Sequence, residues 1–160
     1  MFDTNFAFVW RSLRRLGVPS AATDDAAQEV FVVASKRLPE IRVGYERAFL
    51  FATALRIASN ARRAFARRDA RHDDALDRVV DPTPSPEQLA DRARARELLD
   101  EVLAALDLDL RAVFVLHELE EMSMAEIATT LELAPGTVAS RLRRARELFR
   151  AEVARLKGTR

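Results

Sequence analysis

The sequence predicts an all-α protein of two small helical domains joined by a proline-containing linker, and three observations lead there. Apolar residues recur at helical spacing along most of the chain, with no strand alternation lasting more than a few residues. Helix-start and helix-stop residues stand at the ends of these runs. Three of the six prolines occupy alternate positions in Asp81-Pro82-Thr83-Pro84-Ser85-Pro86, a stretch that forbids a helix and favours an extended, semi-rigid connection. The resulting division is residues 1–72, a linker at 73–87, and residues 88–160.

Phe6, Val9, Trp10, Leu13 and Leu16 define a first helix that stops at Gly17-Val18-Pro19, a C-terminal Gly followed by a helix-breaking Pro. Thr23-Asp24-Asp25 supplies N-cap candidates for a second helix and places negative charge at the positive end of its dipole. Val30, Phe31, Ala34 and Leu38 form the buried stripe of that helix, Pro39 ends it, and residues 39–46 read as loop. From about Arg47 to Arg71 runs a long helix, apolar at first (Phe49, Leu50, Thr53, Ile57) and then increasingly basic.

In the second domain, Ser85-Pro86-Glu87-Gln88 combines an N-cap Ser, a Pro at the first helical position and a Gln at the third, and starts a helix running to about Leu106. A helix at about 109–120 (Leu110, Val113, Phe114, His117) precedes Ser123-Met124-Ala125-Glu126, a capping box that opens a short helix to Leu131. Pro135-Gly136 opens the last helix.

Composition excludes several classes of function. With 160 residues, 49% of them hydrophobic, the chain can bury a core, yet no stretch approaches the roughly 18 consecutive apolar residues of a membrane span. Phe2-Asp3-Thr4-Asn5 lacks the basic and apolar blocks of a signal peptide, so a cytoplasmic protein without membrane insertion is expected. Cysteine is absent and only His72 and His117 are present, which argues against a metal centre. The four glycines form no phosphate-cradling loop and neither histidine has a nucleophile partner. No catalytic residue, cofactor or small-molecule substrate is therefore expected, and His117 reads most simply as a residue beside the core.

The formal net charge of +1 conceals strong sorting. Arg56 to Arg71 carries net +5, residues 73–109 net −7, and residues 135–160 net +6; residues 117–132 hold five glutamates and no basic residue. Two basic blocks are thus separated by acidic ones. Of the 26 basic residues only Lys36 and Lys157 are lysine, and guanidinium suits bidentate phosphate and guanine contacts better than ammonium does. A GC-rich genome, whose codons favour Arg, is the other reading of that bias.

Residues 123–149 have the length and punctuation of a helix-turn-helix: a capped short helix, a turn at Glu132-Leu133-Ala134, and a second helix from Pro135. At roughly 100° per residue, Val138, Leu142, Ala145 and Phe149 share the core face of that second helix. The opposite face carries Gly136, Thr137, Ala139, Ser140, Arg143 and Arg144, small or donor-bearing side chains toward the helix start, where a recognition helix meets base edges. Arg141 and Arg146 lie on the flanks, placed for phosphates. Arg150 and Arg155 read as complements of the helix dipole.

The string EMSMAEIATTLELAPGTVASRLRRAR, residues 121–146, resembles region four of the sigma-seventy family, and DLRAVFVLHELE before it resembles the preceding helix of that region. DDAAQEVFVVASKRL and FLFATALRIASNARRAFARR resemble the polymerase-docking and promoter-melting helices of region two. With a short linker in place of a third domain, the chain is similar to the compact extracytoplasmic-function sigma factors. The resemblance implies a transcription initiation factor that docks on core RNA polymerase, reads the minus-thirty-five element of promoter DNA as duplex with domain four, and captures unstacked minus-ten bases with domain two.

Residue by residue, it implies polymerase contacts at Asp25, Gln28 and Glu29, and minus-ten contacts at Arg56, Asn60, Arg62, Arg63 and Arg67. A melted strand wants a basic groove with donor side chains near splayed bases, which agrees with the second set. Tyr45 and Phe49 border a candidate base pocket; the apolar stripe favours a core role for Phe49, and Tyr45 stays open between the two. The resemblance also implies an anti-sigma protein as a partner. Glu132 stands where the family usually has a turn glycine, Ala139 where a basic residue is common, and Ala26 and Ala27 where larger aliphatics are. Phe49 replaces a typical Trp and Asn60 a frequent Asp. The competing expectation is a helix-turn-helix regulator that binds duplex DNA alone, with residues 1–72 as a sensor or dimerisation bundle. A helical adaptor that binds only protein would leave both basic blocks unexplained.

Overall fold

In the computed structural model, α1 (Phe2–Arg15), α2 (Ser20–Lys36), a 3-10 turn (Leu38–Glu40) and α3 (Glu46–Asp69) make an N-terminal bundle. The C-terminal bundle contains α4 (Pro86–Ala104), α5 (Leu108–Phe114), a π turn (Val115–Leu119), α6 (Met124–Leu131) and α7 (Pro135–Gly158). The structure describes residues 2–69 and 86–158, and among them there is no strand. Most of the expected linker, with Ser85 as a helix cap and the end of the basic helix at Arg71, lies outside the described residues. Pro86 takes the first helical position of α4, where its start signal puts it.

The three N-terminal helices pack against one another, and α7 lies against α4, α5 and α6. Val9 and Leu13 of α1, and Leu16 just past its end, are buried as the apolar spacing predicts, together with Phe8, whose ring lies 4.5 Å beneath the Arg47 guanidinium. Phe6 is largely exposed and stacks on Phe31 at 6.1 Å. Gly17 has a φ of +93°, the left-handed conformation that ends α1 and suits glycine.

The second helix starts earlier than its capping residues suggest. Pro19 precedes it with φ −58° and ψ 149°, so Thr23 lies inside the helix, buried, donating its hydroxyl to the Pro19 carbonyl at 2.8 Å. Asp24 accepts a bond from the Trp10 indole at 2.9 Å, tying α1 to α2. The physical reason is that Pro19, with its ring-fixed φ, separates α2 from α1 at the N-cap, and starting at Ser20 lets the helix bury Thr23, Ala26 and Ala27 on its core face. At the other end Arg37 leaves helical geometry at φ −112°, so Leu38 turns out of the expected stripe and is exposed.

The bundles are packed together. α3 meets α6, α1 meets α4, and their buried apolar residues form one continuous core. Arg111 of α5 sits in the seam, only 4% exposed, and donates through Nε to the carbonyl of Arg15 near the end of α1. That carbonyl has no intrahelical donor, so the guanidinium caps the helix. Arg15 in turn pairs with Glu120 at 2.5 Å.

Candidate nucleic-acid interface

Local sequence builds the helix-turn-helix. Ser123 accepts the Glu126 backbone N–H at 3.2 Å, and the Glu126 carboxylate accepts the Ser123 N–H at 2.7 Å, so both bonds of the predicted capping box form. The Ser123 hydroxyl, and then its backbone N–H, hold the Glu126 carboxyl below its ordinary value of 4.5. The contribution of the carboxylate to the cap is therefore complete above that ordinary value and is lost as pH falls through the lowered one, while the bond from the Glu126 N–H to the Ser123 hydroxyl does not titrate. Ser123→Ala is expected to destabilise the protein by about 1 kcal/mol at neutral pH. The cost should shrink in acid, as urea melts across pH would register.

Ile127 of α6 is fully buried. At the turn, Glu132 occupies the left-handed region with φ 54° and ψ 44°, satisfying the C-terminal carbonyls of α6 through its backbone N–H. A side chain in that region costs roughly 1–2 kcal/mol, whereas glycine costs about 0.5–1 kcal/mol in lost freedom. Glu132→Gly should therefore raise stability by about 0.5–1 kcal/mol in denaturant unfolding.

In α7, Val138, Leu142 and Ala145 are buried, and Phe149 stacks on Phe114 at 4.6 Å. Gly136, Ala139, Ser140, Arg143 and Arg144 are exposed, while Thr137, Arg141 and Arg146 are partly covered. A Cβ at Gly136 would meet nothing within 4 Å, so the glycine leaves open surface at the helix start. Arg141 lies 3.5 Å from Asp109, and Arg146 donates to Glu118 at 2.6 Å. The flanking arginines are thus braced by carboxylates of α5 and the π turn. Arg144 makes only a 3.5 Å contact to Glu147 one turn on, and the Ser140 hydroxyl donates back to the Thr137 carbonyl at 3.0 Å.

On α3, Arg56, Asn60, Arg63 and Arg67 are all exposed. Their spacing puts them within about 60° of one another around the helix. Arg67 is steadied by a 3.2 Å bond from its Nε to the Arg63 carbonyl. Arg62 does not join them. It lies roughly 120° around the helix from that stripe, is partly buried, and lines the seam with Arg14 and Arg111. Tyr45 is 52% exposed and the neighbouring Val43 94% exposed, whereas Phe49 is half-buried with the Arg37 guanidinium 5.7 Å from its ring centre.

Asp25, Gln28 and Glu29 share the exposed face of α2. Val32, 50% exposed, stands on the same face. Sequence reasoning passed over this valine because it sits in the apolar run Val30–Val33; its spacing from Gln28 and Glu29 was the available signal. Among the described residues no cluster of three or more His, Cys, Asp or Glu is arranged to hold a metal, and no helix is long and apolar enough to cross a membrane.

The family described as "Sigma-70, region 4" matches residues 96–149. The chain is 33% identical over 141 residues to the ECF RNA polymerase sigma-E factor of Escherichia coli strain K12, covering 81% of this chain and 73% of that protein. It is 32% identical over 149 residues to the ECF RNA polymerase sigma factor SigE of Mycolicibacterium smegmatis, covering 92% of this chain and 58% of that one, so it spans little more than half of that relative. CnrH, solved in complex with the cytosolic domain of CnrY, superposes with a TM-score of 0.68 at 27% identity over 96% of this chain and 84% of its own. The fold is also that of the sigma factor RpoE of Bartonella quintana, solved with the anti-sigma factor NepR, with a TM-score of 0.65 at 21% identity over 96% of both chains. A capped helix-turn-helix of matching region-four sequence and relatives that span both bundles lead to one conclusion: the chain belongs to the ECF RNA polymerase sigma factors of the sigma-seventy family.

Proposed function

We propose that this chain directs core RNA polymerase to specific promoters as an initiation factor, working in the cytoplasm with no catalytic chemistry or cofactor of its own. The observation that carries the reading is the presence, on one chain, of two separate exposed donor surfaces: the start of α7 and the α3 stripe. Gly136, Thr137, Ala139, Ser140, Arg143 and Arg144 read the minus-thirty-five duplex, with Arg141 and Arg146 on phosphates. Arg56, Asn60, Arg63 and Arg67 hold the melted minus-ten strand, with Tyr45 beside them for base stacking. Arg62 joins that surface only when the seam opens. Asp25, Gln28 and Glu29 dock on core polymerase, with Val32 supplying apolar contact.

The domain division at residues 73–87 serves this reading, because the two surfaces must address promoter elements at different places. An anti-sigma protein is the proposed further partner, supported by the solved complex of RpoE with NepR. A regulator acting on duplex DNA alone is not favoured, since the related full-length proteins are RNA polymerase sigma factors. In vitro transcription with core polymerase is the test. Added protein should produce transcripts from defined start sites while binding free promoter DNA only weakly. Core enzyme that neither retains the chain nor gains start-site choice would reject the proposal.

A further inference from the structure

A cavity of about 280 Å³ opens at the seam between the bundles, lined by Arg14, Gly17, Arg62, Asp100 and Arg111 among others. Among the described residues three guanidiniums face a single carboxylate there. Arg14 is partly committed, donating to the Val18 carbonyl at 2.7 Å and lying 3.7 Å from Asp100. Arg111 is held by its Nε bond to Arg15, and its head packs so closely on Gly17 that a Cβ there would stand 3.0 Å from Nη1. Arg62 contributes a buried Nη1 with no hydrogen-bond partner among the described residues. A buried, unpaired cationic donor costs free energy that a suitable acceptor would recover.

The electrostatics have the same sign. Burial, and then repulsion by Arg62, push the Arg111 guanidinium down to about 10, a large displacement for a group that is ordinarily always charged. Burial also raises the Asp100 carboxyl, outweighing the pull of Arg14. Among the described residues, one carboxylate therefore leaves the three cations under-compensated. The volume falls just below the roughly 300–1,000 Å³ of pockets that take drug-sized ligands, and its charged lining suits a compact anion. Guanidiniums are fitted to phosphate by their planar donor pairs.

We propose that this seam is a binding site for a small phosphate-bearing anion, held by Arg14 and Arg62 from the N-terminal bundle and Arg111 from the C-terminal one. Because the donors come from both bundles, the ligand binds the closed arrangement and stabilises it by mass action. Binding also occupies Arg62, so ligand and seam opening oppose each other through linkage.

Inorganic pyrophosphate is the probe, titrated calorimetrically into the whole protein at neutral pH, with a parallel thermal melt. One saturable site and a raised melting temperature are expected. Arg62→Gln, a substitution at a partly exposed helical position, should weaken binding by about tenfold or more while circular dichroism stays unchanged. Asp100→Asn should tighten it by about tenfold by removing the opposing charge, an effect of opposite sign that mere loss of structure would not give. Arg150→Gln, on the exposed end of α7, should leave the affinity unchanged. Absence of saturable binding up to about 10 mM overturns the proposal. Binding indifferent to both seam substitutions overturns it too, as does Arg62-dependent binding of a single-stranded oligonucleotide with none of pyrophosphate. The assay contains no polymerase or promoter, so its outcome is independent of the proposed role in initiation.

Discussion

Replacing Arg143 and Arg144 together with Ala is expected to reduce promoter-directed transcription by about 30-fold or more while leaving the fold intact. Each base-reading guanidinium is worth about 1–3 kcal/mol of discrimination, so two give a factor of about 30 even at the lower bound. Both side chains are exposed. The contact of Arg144 with Glu147, at 3.5 Å between exposed groups, contributes little to stability. The pattern of loss separates the two ways an arginine can act. A base-reading residue loses selectivity at one promoter position, whereas a phosphate-holding residue weakens all promoters alike and lowers the salt slope by about one per contact. Unchanged transcription and an unchanged slope would remove both residues from the interface.

Phe51→Ala should have the largest effect on stability, about 3–5 kcal/mol. Phe51 is the largest fully buried side chain among the described residues and lies in the second turn of α3, a helix that packs against both α1 and α2. Set against total stabilities of about 5–15 kcal/mol, the change brings the N-terminal bundle close to unfolding. Phe6→Ala, at a ring that is 44% exposed, should cost far less in the same urea titration. A Phe51→Ala cost below about 1 kcal/mol would contradict the packing of α3 as described.

Much of the architecture was legible because the local signals were redundant. The capping box at Ser123 and Glu126, the turn before Pro135 and the buried face of α7 each follow from spacing over a few residues, and each forms as expected. Phe51 was missed for a physical reason. A stripe drawn through Phe49, Leu50, Thr53 and Ile57 assumes that one side of the helix is covered, but α3 packs against α1, α2 and α6 and is buried over a wider arc. Arg62 illustrates the same limit at the interface. Grouped with its neighbours it reads as one more basic residue, and only the packing of two distant segments shows that it faces Arg111 and Arg14. The π turn at Val115–Leu119 carried no readable signal either, since its sequence suits an ordinary helix equally well.

The guanidinium of Arg111, enclosed between the bundles, also sets how readily they part. Separation exposes apolar side chains to water, which resists it, but it also rehydrates a cation whose enclosure is costly, which favours it. The two contributions oppose each other, so adhesion across the joint is weaker than its hydrophobic area alone would give. A docking surface that replaced only the lost apolar cover could thus pry the halves open, with the freed arginine's hydration supplying the remaining drive.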